Sequence, residues 1–335
     1  MEKNKMKLII FGVTGNCGTY CAQKFLEDGW TVYGVGRSES SINHPNMNFI
    51  KGDIRTDELY TKLPTDVELV INFAGVQPSI LATSENTDLT ATLNAYLDVN
   101  INGVFKVLEF VRQNNIKNYV YTTSHRDYEN HWSPNNFLKN DLPPAINYKG
   151  DHVMYAITKT TGKMIGDYFG EAFGVRVFNL RLPMIFMVPE SPYYRNNGEP
   201  TLMPFLKVIR DAMEGKPLEI WGDPQMVRDY VHIDNLVALI KSCYKSSLNS
   251  GTFNVGTGEA VTTERFIKTI GKTFAPDPEN VEYIYKETKR TYKCAIYDVS
   301  EQKELLGYQP VLLEEMLFKL KNDMTEKNCM EKWGW

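Results

Sequence analysis

Basic residues are in slight deficit in this 335-residue chain: 37 Lys and Arg against 41 Asp and Glu leave a formal net charge of −4. A nucleic-acid partner calls for a basic footprint that neutralises phosphates, and this balance offers none. Long runs of one charge sign are also lacking, which argues against a membrane-surface protein. Cysteine is scarce. Cys17, Cys21, Cys243, Cys294 and Cys329 are an odd number without metal-type pairing, so no metal site is expected. Cys17 and Cys21 are spaced i, i+4 on a predicted helix, where buried thiols act as small apolar groups. The start, MEKNKMKLIIFGV, places basic residues before an apolar run, as a secretion signal does. That run stops after LIIF and enters a glycine turn without a small-residue cleavage site, so it reads as a first β-strand. A reducing cytoplasm and small-molecule partners are expected.

Hydrophobic residues make up 42% of the chain, enough for a full core in one large domain or two closely joined ones. The segments KLIIFGV, TVYGVGR, MNFIKGD, ELVINFAG, NYVYTTS and VRVFNLRL are short, apolar and rich in β-branched and aromatic residues. Most are continuous rather than alternating, as expected of strands covered on both faces. Helical stretches lie between them at Cys17 to Asp28, about Leu89 to Gln113, and His152 to Phe173. This alternation predicts an α/β fold with a Rossmann-type, doubly wound parallel sheet that binds ligands at the carboxyl ends of its strands. After Pro183 the texture changes: VPESPYYRNNGEPTLMP holds four prolines, and helices and short strands then intermix. The expected division is a dinucleotide-binding domain at 1–183 and a smaller, mixed α/β substrate lobe at 184–335, with segments of the latter free to return to the first.

GVTGNCG sets Gly12, Gly15 and Gly18 directly after the first strand and at the opening of a helix. Glycines there permit a tight turn and close backbone approach, and the helix N-terminus offers N–H groups to a pyrophosphate. GTG at Gly256 to Gly258 also follows a strand, but lacks the wider spacing and reads as a turn. An acid at the end of the second strand would bind the ribose 2′-OH of NAD, whereas Arg accommodates a 2′-phosphate. The chain has Gly36, Arg37 and Ser38 there, with Glu39 just beyond. NADP is therefore expected, with NAD as the alternative.

Tyr155 and Lys159 are four residues apart in MYAITKTTGKM, a spacing that stacks them on one helix face. A nearby ammonium favours the phenolate and lowers the tyrosine pKa. The same spacing recurs at Tyr20/Lys24 and Tyr285/Lys289, so context has to choose among the three.

The sequence resembles the extended short-chain dehydrogenase/reductase family, the nucleotide-sugar epimerases and dehydratases in particular, from Lys7 to about Pro310. The likeness rests on GVTGNCG, KGDIR, NFAG, LDVNINGVFKVLEF, TTSHRDY, YAITK, RDYVHIDNL and FNVGTGE, taken in order. It selects Tyr155/Lys159, which follows the TTS strand and opens a long helix. It implies Tyr155 as acid/base, Lys159 as the group that tunes it and holds the nicotinamide ribose, and Ser124 as the hydrogen-bond partner of the substrate oxygen, with Thr123 as fallback. Cofactor contacts are implied at Gly12, Gly15, Gly18, Arg37, Asp53, Ile54, Phe73, Ala74, Gly75 and Asn100. Substrate diphosphate contacts are implied at Arg228 and Arg290, each also compatible with a surface or interlobe ion pair. Pairing of the two long helices implies a homodimer, although their apolar positions also suit packing on the sheet.

Departures narrow the reaction. His125 and Arg126 stand where the family's 4,6-dehydratases carry Asp and Glu, which disfavours dehydration; His125 is a possible second acid/base or a packing residue. Met184 stands where an Asn often contacts substrate phosphates. The expected function is an epimerase or ketoreductase/dehydrogenase of a nucleotide-activated sugar. The alternatives are a reductase of another small carbonyl compound and a non-catalytic NADP-sensing regulator, a class that generally lacks the Tyr/Lys pair.

Overall fold

The computed structural model describes residues 5–77, 89–133, 136–150, 152–196, 199–289, 291 and 295–335. Seven strands form one sheet: β1 (Lys7–Phe11), β2 (Thr31–Gly36), β3 (Met47–Lys51), β4 (Leu69–Asn72), β5 (Asn118–Ser124), β6 (Arg176–Leu182) and β7 (Ser250–Asn254). Their order is β7-β6-β5-β4-β1-β2-β3, and every neighbouring pair is parallel. The order reverses at β1 and β4, which opens a crevice above their carboxyl ends.

The alternation of the strands explains both covering layers. Leu8, Ile10, Ile71, Val120 and Phe178 face one core, which they share with α1 (Asn16–Glu27). Ile9, Phe11, Val70, Tyr119, Tyr121 and Val177 face the other. That second layer is built from α2 (Leu89–Leu97), α3 (Val104–Gln113) and α4 (Val153–Phe173). Each fully buried aliphatic side chain contributes about 1.5–3 kcal/mol relative to exposure, so the continuous apolar runs specify a sheet covered twice.

Two features depart from the simple reading. The predicted helix from about Leu89 to Gln113 is interrupted by a π-helical turn, Asp98–Gly103; such insertions are frequent at functional sites. The second half also returns to the first. α5 (Pro204–Met213) belongs to the lobe, whereas α6 (Ile233–Lys245) packs Leu236, Leu239 and Ile240 into the α1 core. β7 then pairs with β6 in register from Ser250 with Val177 to Asn254 with Arg181. The lobe has its own core of Phe186, Leu206, Ile209, Phe266, Ile270, Met316 and Leu320. These come largely from α5, α7 (Thr263–Phe274) and α8 (Leu313–Glu326).

Candidate active site

A cleft of about 1100 Å³ lies at the carboxyl ends of the strands, between sheet and lobe. Its floor is the glycine loop. Gly12 has φ +80°, and a Cβ there would stand 2.8 Å from the Ala74 nitrogen; a Cβ at Gly18 would run into the Gly12 carbonyl. Gly15 precedes α1, whose N-terminus has no side-chain cap. Backbone that approaches this closely, with helix N–H groups at its edge, fits a pyrophosphate. The residues present therefore fit a dinucleotide cofactor.

Arg37, Asp53, Ile54, Phe73, Ala74 and Gly75 continue the wall. Asp53 accepts from the Arg55 guanidinium at 2.6 and 3.0 Å, and this bonding holds its carboxyl below the usual range. Glu39, the acid just beyond Arg37, pairs with Lys51 at 2.9 Å.

Asn100, in the π turn, does not line the cleft. It is buried behind the wall, where Oδ1 accepts from the Val76 N–H at 2.8 Å. Its Nδ2 donates to the Val76 carbonyl at 3.2 Å and to Thr158 Oγ1 at 3.1 Å. The side chain thus ties the loop after β4 to α4, the helix that carries Tyr155 and Lys159.

The cleft brings together Thr123, Ser124, His125, Tyr155 and Lys159. Strand β5 ends at Ser124, whose Oγ accepts from the Arg126 N–H at 3.2 Å and which lines the cleft with Tyr155. Thr123 Oγ1 is buried and has no hydrogen-bond partner among the described residues.

Burial raises the Tyr155 pKa above its ordinary value, with the Ser124 hydrogen bond and the Arg126 charge acting against it. The expected lowering by Lys159 is therefore not what this pocket gives. Burial also brings Lys159 down to about 7, so its ammonium is only partly charged at neutral pH.

His125 Nδ1 lies 3.0 Å from the Tyr297 hydroxyl, and its ring stands 4.8 Å from Trp132. Burial first, then the Arg126 and His152 charges, depress it to about 3. It is a neutral imidazole at physiological pH.

The other two Tyr/Lys pairs belong elsewhere. Lys24 lies over the Tyr20 ring in α1, and the Tyr285 hydroxyl is bound to Glu264. Cys17, expected to be a buried thiol, lines the cleft because it sits in the first turn of α1. Arg228 is half-buried on a two-residue strand and is not part of the cleft wall. Its neighbour Asp229 is bonded to the Thr257 hydroxyl and N–H at the GTG turn. Arg290 lies outside the described residues.

The sequence reading did not place His152, Met187, Met203 and Phe205 in this wall. The latter three reach it only through folding of the lobe, and no local pattern marks them.

The UDP-glucose 4-epimerase of Mycolicibacterium smegmatis is 25% identical over 331 residues, covering 94% of this chain and 97% of that protein. Among solved structures, UDP-glucose 4-epimerase from Thermotoga maritima with UDP-glucose aligns with TM-score 0.75 and 22% identity, over 96% of this chain and 100% of that one. UDP-glucuronic acid 4-epimerase from Bacillus cereus in complex with NAD aligns with TM-score 0.69 and 20% identity, over 96% and 97%. At these identities the structural likenesses establish the fold. The profile of the NAD dependent epimerase/dehydratase family matches residues 8–256, most of the chain, and the protein therefore belongs to that family, of the extended short-chain dehydrogenase/reductase type.

Proposed function

We propose that this protein epimerises, or oxidises and reduces, a nucleotide-activated sugar, with Tyr155 as acid/base. The observation that carries the proposal is the convergence of Ser124, Tyr155 and Lys159 on the cleft floored by the glycine loop. A bound nicotinamide supplies the hydride acceptor and donor for alcohol–ketone interconversion. Tyr155 takes the proton from the sugar hydroxyl as the carbonyl forms, and returns it in the reverse direction. Ser124, which lines the cleft with Tyr155, orients the substrate oxygen. Lys159 anchors the ribose, and Gly12, Gly15 and Gly18 admit the pyrophosphate. Arg37, in the wall after β2 and without a nearby strand-end acid, favours NADP; the alternative is NAD, which the Bacillus cereus structure contains.

Arg228 and Arg290 are proposed to grip the substrate diphosphate from the lobe. Replacing Arg228 with Ala then raises KM strongly; an unchanged KM places the diphosphate elsewhere.

A panel of UDP-, GDP-, CDP- and dTDP-sugars, scored by product mass and nicotinamide absorbance, tests the main reading. Tyr155→Phe should lower kcat by roughly 10²–10⁴-fold with cofactor affinity nearly intact. Near-normal turnover in that variant would remove Tyr155 from the chemistry. A second reading, reduction of another small carbonyl compound, is favoured by Met184. That side chain is 54% exposed in the wall of the cleft, where resemblance leads to an asparagine. Turnover of simple ketones with no nucleotide-sugar accepted would select it.

A further inference from the structure

Tyr297 and His125 join the second half of the chain to the reacting end of the cleft. Tyr297 lies on a two-residue strand, Ile296–Tyr297, that pairs in parallel with Phe137–Leu138, and its side chain is fully buried. The GTG turn backs it. A Cβ at Gly256 would stand 2.6 Å from the Tyr297 Cβ, and Asp229 fastens that turn by accepting from the Thr257 and Gly258 N–H groups at 2.9 and 3.2 Å. The phenol so fixed sets its hydroxyl 3.0 Å from His125 Nδ1, while Trp132 flanks the imidazole with ring centres 4.8 Å apart. His125 is thus held on two sides. Of the bonded pair the phenol is the stronger acid and the imidazole nitrogen the stronger base, so Tyr297 donates to Nδ1 and the imidazole proton stays on Nε2. Burial keeps the ring neutral at physiological pH. The residue is only half-buried, and it lines the cleft beside Ser124 and Tyr155. Those two serve the reacting oxygen, which leaves the Nε2–H for a neighbouring one.

We propose that His125 donates a neutral hydrogen bond from Nε2 to the sugar hydroxyl on the carbon beside the one oxidised, and that Tyr297 fixes the proton on that nitrogen. The proposal rests on the nucleotide-sugar reading above and adds to it a required substrate group. Oxygens held on two adjacent carbons, one by Ser124 and Tyr155 and the other by His125, fix the ring against rotation as hydride leaves, where small misplacements are costly. His125 transfers no proton. It touches the substrate, whereas Tyr297 is a positioning residue that acts through it.

Nitrogen-15 NMR of the imidazoles, only five in the chain, reads the proton's position, with His125→Phe assigning the signal. Wild-type His125 should be protonated on Nε2 without titrating between about pH 5 and 8, and Tyr297→Phe should mix the two tautomers. Kinetics with UDP-glucose and GDP-mannose, each against its 3-deoxy analogue, form the second arm, because the 3-hydroxyl adjoins both C2 and C4. For the parent sugar that the wild type accepts, kcat/KM should exceed that of the analogue on the order of tenfold, the scale of one hydrogen bond left unmade. That ratio should fall towards one in His125→Phe and be partly restored in His125→Gln, whose amide can donate. Thermal melting of each variant separates lost alignment from lost folding. A proton on Nδ1, titration within that range, or a ratio that His125→Phe does not move overturns the proposal and leaves the nucleotide-sugar reading intact. If neither nucleotide-sugar binds or reacts while the Nε2 signal is as expected, the nucleotide-sugar reading falls and the proposal with it.

Discussion

The Lys159 ammonium nitrogen lies 4.1 Å from the centre of the Tyr121 ring, and the Tyr121 hydroxyl has no hydrogen-bond partner among the described residues. The lysine is held by a π face under burial, in a site made for a ligand. Its folded pKa, about 7, is below the ordinary 10.5, so charging it in the empty cleft costs stability. That cost is absent above pH 10.5, grows as pH falls, and is complete below about 7. Lys159→Met should therefore stabilise the cofactor-free protein at pH 6.5 by roughly 4–5 kcal/mol, at 1.4 kcal/mol per pKa unit, while abolishing turnover. Thermal melts between pH 6 and 10.5 check it. A variant that is less stable than wild type at low pH, or that retains turnover, contradicts the assignment.

Arg37 stands exposed in the wall just after β2. A guanidinium meets a 2′-phosphate with paired, charge-assisted hydrogen bonds and stays charged. Arg37→Ala should weaken NADP about tenfold or more while changing NAD little. Equal losses by calorimetry, or tighter binding of NAD to the wild type, would assign the cofactor as NAD.

Behind Ser124 and His125, the buried Arg181 and Asp127 side chains pair at 2.9 Å. Arg181 also donates to Asn254 Oδ1 at 2.9 Å, and its guanidinium lies 3.4 Å from the centre of the Tyr128 ring. This knot joins the end of β5 to β6 and β7. Asp127→Asn leaves Arg181 buried without its counter-charge, which should cost about 3–5 kcal/mol. Urea denaturation measures it; a loss below about 1 kcal/mol would show that Asn254 suffices for Arg181.

Leu97, Phe105, Met164, Tyr168 and Phe173 are exposed on α2, α3 and α4. They are the apolar positions of these helices that the sheet does not cover, and a homodimer pairing the helices would bury them. Light scattering should give a dimer at micromolar concentration, shifted towards monomer by Phe105→Glu combined with Met164→Glu. A wild-type monomer would sink the proposal.

The central sheet was legible because its signals are local. Runs such as LIIF and NYVYTT are apolar on both faces, and β1 and β5 are accordingly buried along almost their whole length. Gly12 and Gly18 were legible for a similar reason: close backbone approach admits no Cβ at either. Tyr155 could be chosen over Tyr20 and Tyr285 only through its place after β5, because helical spacing alone is shared by Tyr20/Lys24. Tertiary structure decided what depends on burial and distant partners. It placed Asn100 behind the wall through a π turn, and moved the Tyr155 and Lys159 pKa values by desolvation that no local sequence encodes. It returned β7 to the sheet through pairing with β6. It also gathered Arg126, His152, Met203 and Phe205 in one cleft, because residues far apart in the chain converge only where the lobe closes over the strand ends.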